Sequence, residues 1–281
     1  MAGTLNFSST TPAAPGSNVN VTWQKDADGN VSGYVPPSGG GGGPGAPSGT
    51  FHSIVVNPSG VSGAGTQLGA YAVTVGSVGG PFSSSDNASL PWFRVEASGP
   101  STSGITDDIF CITPATMQQI QFYVGIGSGS LGSGVLTGCR WWLGFSDLGI
   151  GSLDATNPAG HIVGFRLDQS GGLNTPDTNW QAYVSSDATH YTVVDTGVAP
   201  NPYVSSGPPP YGDVTDQFKI TADGSGGFNF YIDGTKVANI PAGSTGLPTG
   251  STQMLYVMET DAQSTYTSQL FINSMQWWSV Y

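Results

Sequence analysis

Charge is what this sequence lacks most. Only 9% of its 281 residues are charged, against roughly a quarter in ordinary soluble domains. Basic residues are the scarcest: Lys25, Arg94, Arg140, Arg166, Lys219 and Lys236 are all of them, no two are adjacent, and the net charge is −12. Phosphate contacts dominate nucleic-acid affinity, so DNA or RNA binding is excluded, and an anionic membrane surface with it. The two cysteines, Cys111 and Cys139, are too few to staple a chain this long, and their spacing does not show whether they pair. The opening Met-Ala-Gly-Thr-Leu-Asn-Phe has no basic n-region and no apolar h-region, so it does not read as a signal peptide. No run approaches the roughly 18 apolar residues of a membrane span. Synthesis in a reducing cytoplasm is therefore expected, with both thiols buried and free rather than paired. The three histidines, His52, His161 and His190, are scattered and form no His-x-x-His pattern, which argues against zinc.

What is abundant points one way. There are 43 glycines and 20 prolines, yet also seven Trp, twelve Phe and eleven Tyr, too many aromatics for a disordered chain. The chain keeps itself soluble with Ser, Thr, Asn and Gly. That suits a turn-rich β protein, either covered by neighbours in an assembled particle or secreted and protease-resistant.

Three regions follow from the pattern. In residues 1–35, Thr4-Leu5-Asn6-Phe7 alternates briefly, a Pro-rich stretch follows, and Val19-Asn20-Val21-Thr22-Trp23-Gln24 alternates with the period of a strand. Asp28-Gly29 signals a hairpin turn, and Val31–Val35 returns as its partner. A lone two-stranded ribbon is marginal in water, so this arm should lie against its own domain or another subunit. Residues 36–49 (PPSGGGGGPGAPSG) read as a linker. Residues 50–281 read as one β-sandwich domain. Its strands are expected at Phe51–Val56, Leu68–Val75, Trp92–Ala97, Ile109–Ile112, Ile120–Ile126, Cys139–Phe145, His161–Leu167, Trp180–Ser185, Tyr191–Asp195, Gln217–Thr221, Phe228–Asp233, Lys236–Ile240, Thr252–Glu259 and Leu270–Tyr281, separated by turn residues. Thr113–Gln119 offers a helical turn. The strongest local signal is Phe228–Ala238, two alternating runs about Asp233-Gly234.

Two segments carry resemblances. The run TLNFSSTTPAAPGSNVNVTWQKDADGNVSGYVP, followed by its glycine tract, resembles the N-terminal segment of minor structural and tail-associated proteins of tailed bacteriophages. Across 139–281, CRWWLGFSD, GHIVGFRLD, NWQAYV, FKI and FNFYIDGTKVANI are similar to the later strands of concanavalin-like jelly rolls of the lectin and glucanase type. The second resemblance implies an all-β, antiparallel β-sandwich, often with a glycan groove, and by itself no activity. The first implies a place in a virion, as head decoration, head fibre or tail appendage.

A search for chemistry finds little. Glycoside hydrolysis needs two carboxylic acids across one bond, and the hydrolases of this class carry a strand with Glu-x-Asp-x-Glu or a close variant. Here Glu96 and Glu259 are the only glutamates. Glu259 and Asp261 would share one side of a strand and could flank a cleft, which reads as a remnant of that motif. Asp107-Asp108 and Asp213…Asp216 lack the density of a calcium loop and read as turn-formers. The Gly-x-Gly patterns in 125–138 are loop material without a following helix. Neighbours in a strand point to opposite faces, so one Trp of each pair Trp141-Trp142 and Trp277-Trp278 should be core and the other face out, to stack on a sugar or anchor a subunit; alternatively all four are core. Tyr203 and Tyr211 flank a Pro-rich loop that could meet a partner.

The expectation is thus a non-enzymatic virion structural protein without cofactor or metal, assembled in the host cytoplasm. Its arm (Leu5, Phe7, Val19, Val21, Trp23 and Tyr34) anchors it to major capsid or tail subunits by strand addition, and it forms a homo-oligomer. Trp141, Trp142, Tyr203, Tyr211 and Trp277 are the candidate glycan or interface aromatics. The rival readings are a lectin-like module that binds cell-surface glycan and a glycanase using Glu259.

Overall fold

The computed structural model describes residues 23–25, 31–34, 50–55, 73–75, 93–107, 113–128, 136–171, 175–202, 216–263 and 266–279. In chain order its strands are β1 (Trp23–Lys25), β2 (Val31–Tyr34), β3 (Thr50–Val55), β4 (Val73–Val75), β5 (Phe93–Ser98), β6 (Ser101–Asp107), β7 (Met117–Ser128) and β8 (Cys139–Ser146). They continue with β9 (Ile162–Asp168), β10 (Gln181–Ser185), β11 (Tyr191–Asp195), β12 (Asp216–Ala222), β13 (Phe228–Ile232), β14 (Thr235–Ile240), β15 (Leu255–Ala262) and β16 (Thr267–Ser279). Two antiparallel sheets form a sandwich, as the alternating runs predicted. The first sheet has the order β11-β10-β9-β8-β15-β6-β4; the second runs β14-β13-β12-β7-β16-β3, with β5 also paired to β16.

The local chemistry explains the best-formed hairpin. Asp233 and Gly234 both adopt positive φ, 49° and 76°, the conformation a two-residue turn needs to match the twist of its strands. Asp233 also accepts the Gln217 backbone N–H at 2.8 Å, which ties the turn to β12. Along β13 the pattern then alternates, with Phe228, Phe230 and Ile232 buried and Asn229 and Tyr231 half-buried. Inward residues of both sheets form one core, in which Phe165 meets Phe218 and Phe230 edge-on at 5.1 and 5.3 Å and Trp180 meets Phe218 at 4.7 Å. Each such pair adds about 0.5–1.5 kcal/mol beyond its area.

Three expectations change. Thr113–Gln119 makes one turn only: the Thr116 hydroxyl donates to the Thr113 carbonyl and accepts the Thr113 N–H, and the strand begins at Met117. β6 was not foreseen, because Ser-Thr-Ser-Gly-Ile-Thr-Asp has no apolar alternation. It is a strand through its pairing with β15 on one side and β4 on the other. β8, β9 and β10 are buried on both faces, so the first sheet has a second covered side. In the arm, β1 and β2 pair antiparallel as a separate two-stranded sheet, with Trp23 opposite Tyr34. Linker 36–49 and the strand expected at Ile109–Ile112 lie outside the described residues.

Candidate functional site

The second covered side is the outward face of the first sheet. Register places Trp142 of β8 beside Glu259 of β15, which stands beside Gly104 of β6; one row further, Asp168, Arg140 and Asp261 line up across β9, β8 and β15. Residues 147–160, the connection from β8 to β9, lie over these rows as a strap. Its Leu153 packs with Trp142, Ile162, Tyr183 and Val257, and its Leu148 and Ile150 close over the same cluster. Trp142 Nε1 donates to the Leu153 carbonyl at 2.9 Å. A Cβ on Gly104 would come within 2.7 Å of Ile150, so the strap seats directly on the bare backbone there.

Under the strap lies a charged network. Arg140 contacts Asp168 at 3.0 Å and donates to Asp261 at 3.2 Å and to the Ser170 hydroxyl at 2.7 Å. Arg166 grips Asp177 through Nε and Nη2 at 3.0 and 3.2 Å, and donates to the strap carbonyl of Thr156 at 3.0 Å. Its guanidinium lies 5.3 Å from the Tyr183 ring centroid. Burial pushes the Asp168 carboxyl up, but Arg140, Ser170 and Thr156 outweigh it and hold that group below its ordinary range. For Asp261 burial prevails over Gln263 and Arg140, and its pKa is raised.

Glu259 is the extreme case. It is fully buried, receives the Gly151 backbone N–H at 2.9 Å on Oε2, and its Oε1 has no partner. Burial, opposed by that N–H and aided by Asp261 and Asp154, pushes its pKa up to about 8. A carboxyl in this position is a neutral acid at pH 7. Glu259 and Asp261 do share one face, as their spacing predicted, but the cleft they were to flank is filled by residues 147–160.

The other expected residues fall out differently. Trp141 is in the core between the sheets, its Nε1 donating to the Gln269 carbonyl at 3.0 Å. Trp142 does point the other way, yet only 1% of it is exposed, so it is no free stacking platform: alternation sets the side a residue takes, while the strap decides whether that side is open. Trp277 and Trp278 are described in their backbone alone, in register with Ile120 and Gln119 of β7. Leu5, Phe7, Val19, Val21, Tyr203 and Tyr211 lie outside the described residues, and Trp23 and Tyr34 are described in their backbone alone. Cys139 is a buried free thiol, its pKa pushed up to about 11 by burial; Cys111 lies outside the described residues. Sequence reasoning missed Arg140, Arg166, Asp168 and Asp177, although the two-residue spacings Arg140/Trp142 and Arg166/Asp168 already put these groups on one face.

No protein-family model matches the chain, and no curated protein does. Solved structures do. The carbohydrate recognition domain of Emp47p shares 10% identity over 82% of this chain and 95% of its own, with a TM-score of 0.49. A family 16 glycoside hydrolase from the mixed-linkage glucan locus of Bacteroides ovatus shares 11% over 80% and 93%, at 0.42. The kappa-carrageenase of Pseudoalteromonas carrageenovora shares 10% over 84% and 98%, at 0.41. At such identities the likeness is one of fold, the jelly roll of lectins and these hydrolases. The expectation of a non-enzymatic protein is corrected to this extent: several of these similar structures are by name glycoside hydrolases, so the fold itself excludes no such activity. That expectation had rested on the missing Glu-x-Asp-x-Glu, and the absence of one motif does not remove a fold from those that carry such chemistry.

Proposed function

We propose that this chain is a structural component of a tailed-bacteriophage particle, at the head or the tail, whose segment 1–35 attaches it to neighbouring subunits while the jelly roll is displayed. The observation that carries the reading is the β1–β2 ribbon, which among the described residues forms a two-stranded sheet of its own, with β2 lying near β3. A two-stranded ribbon gains too little by itself to stay ordered in water, and an open edge of such a ribbon is a template for strand addition. The resemblance of the same segment to phage tail-associated proteins supports the assignment, and the net charge of −12 fits a role outside the packaged nucleic acid. Several copies in a symmetric shell would let weak arm contacts sum to firm attachment.

Mass spectrometry of gradient-purified particles tests this. Peptides of this chain should be present at constant ratio to the major capsid protein through repeated purification. Their loss on the second gradient would remove the proposal.

A further inference from the structure

The outward face of the second sheet differs from that of the first: no strap covers it among the described residues. Its side chains stand in rows across β7, β12 and β13. Gln121, Lys219 and Tyr231 are register partners, and Gln119, Thr221 and Asn229 form the adjacent row. At roughly 4.8 Å per strand, the rows are wide enough for a short oligosaccharide. A groove of about 890 Å³ lies on this face, lined by Gln119, Lys219, Thr221, Asn229 and Tyr231 and bordered by the loops that carry Ala115 and Gly250. That falls within the roughly 300–1,000 Å³ of small-molecule sites. The Ala115 N–H donates to the Gly250 carbonyl at 3.3 Å, so these two loops are tied together.

The floor is organised before any ligand arrives. Asn239 donates to the Asn229 Oδ1 at 3.0 Å, which leaves the Asn229 NH₂ available. The Lys219 ammonium lies 4.4 Å from the Tyr231 ring centroid. The groove's acid, Asp223, is spent on its own turn: Oδ1 accepts from the Ser225 N–H, the Ser225 hydroxyl and the Gly227 N–H.

We infer that this groove binds a neutral oligosaccharide, held chiefly by Gln119, Lys219, Asn229 and Tyr231. Every sugar hydroxyl both donates and accepts, and amides, an ammonium and a threonine hydroxyl meet that mixture better than charged pairs do. One lysine balanced by one aspartate gives no net charge to select a polyanion or a polycation. Side chains already held in place lose little freedom on binding. The site is on the opposite sheet from Glu259 and Asp261, and it is independent of the virion reading.

The test uses the full chain on an array of neutral and acidic oligosaccharides, followed by calorimetric titration with the best neutral binder. Binding should weaken at least about tenfold, or ~1.4 kcal/mol, in Gln119→Ala/Lys219→Ala and in Asn229→Ala. It should be unchanged in Glu259→Gln and on removal of residues 1–49. Circular dichroism melts unchanged from wild type confirm that the variants are folded. No retained glycan at millimolar concentration, selection of acidic glycans alone, or binding indifferent to the groove substitutions overturns the inference. So does a concentration-dependent dimer that the same substitutions abolish.

Discussion

Glu259 is a carboxyl that the fold keeps protonated, and its stability consequence has a definite sign. Its folded pKa of about 8 lies above the ordinary 4.5, so between those values the folded chain holds a proton that the unfolded chain releases. Stability therefore falls as pH rises from about 4.5 to 8, at ~1.4 kcal/mol for each pKa unit of displacement. Asp216, raised to about 7 by burial and by Asp233, adds to the fall over the lower part of the same window. Glu259→Gln removes the larger contribution while keeping an oxygen for the Gly151 N–H. Urea midpoints measured from pH 5 to 9 should decline less steeply in this variant, which should exceed wild type at pH 9; parallel curves would refute the assignment. Cys139, with its thiol pushed up to about 11 and sealed in the core, should resist alkylation in native protein at pH 8 and react once unfolded.

At the scale of elements, the strap is what turns one side of the first sheet from a groove into a second small core. Leu153 is its central apolar anchor, fully buried against Trp142 and Tyr183. Leu153→Ala should cost roughly 2–5 kcal/mol and red-shift tryptophan emission as water reaches Trp142; an unchanged emission maximum would show that the strap is not held there. The contrast between hairpin and strap also shows which parts of the fold were legible in the sequence. β13 and β14 were readable because alternation and Asp233-Gly234 are local signals. β8 and β9 were readable as strands, but the cover over their far side comes from a connection that obeys no period. β6 escaped because its small residues serve contact, Gly104 leaving room for Ile150, rather than hydrophobic patterning. The carboxylates were placed correctly on one face, and their burial was not, since nothing in Met-Glu-Thr-Asp announces what will lie on top. The amide rows over β7, β12 and β13 went unread for a related reason: polar residues on alternate positions look like ordinary solvated surface until the register aligns them.

For the whole molecule, the account divides the chain by what supplies its order. The sandwich is held by its own core, whereas among the described residues β1 and β2 form a separate two-stranded sheet. Removing residues 1–49 should accordingly leave the thermal transition of the sandwich within about 1 kcal/mol of wild type, as surface changes away from packed features do, and abolish attachment. The most direct measurement is cosedimentation of purified full-length and arm-deleted protein with particles of the phage from which this protein has been stripped or deleted. The account predicts saturable binding of the full-length protein and none of the deleted form. Equal binding by both, or no binding by either, would contradict it.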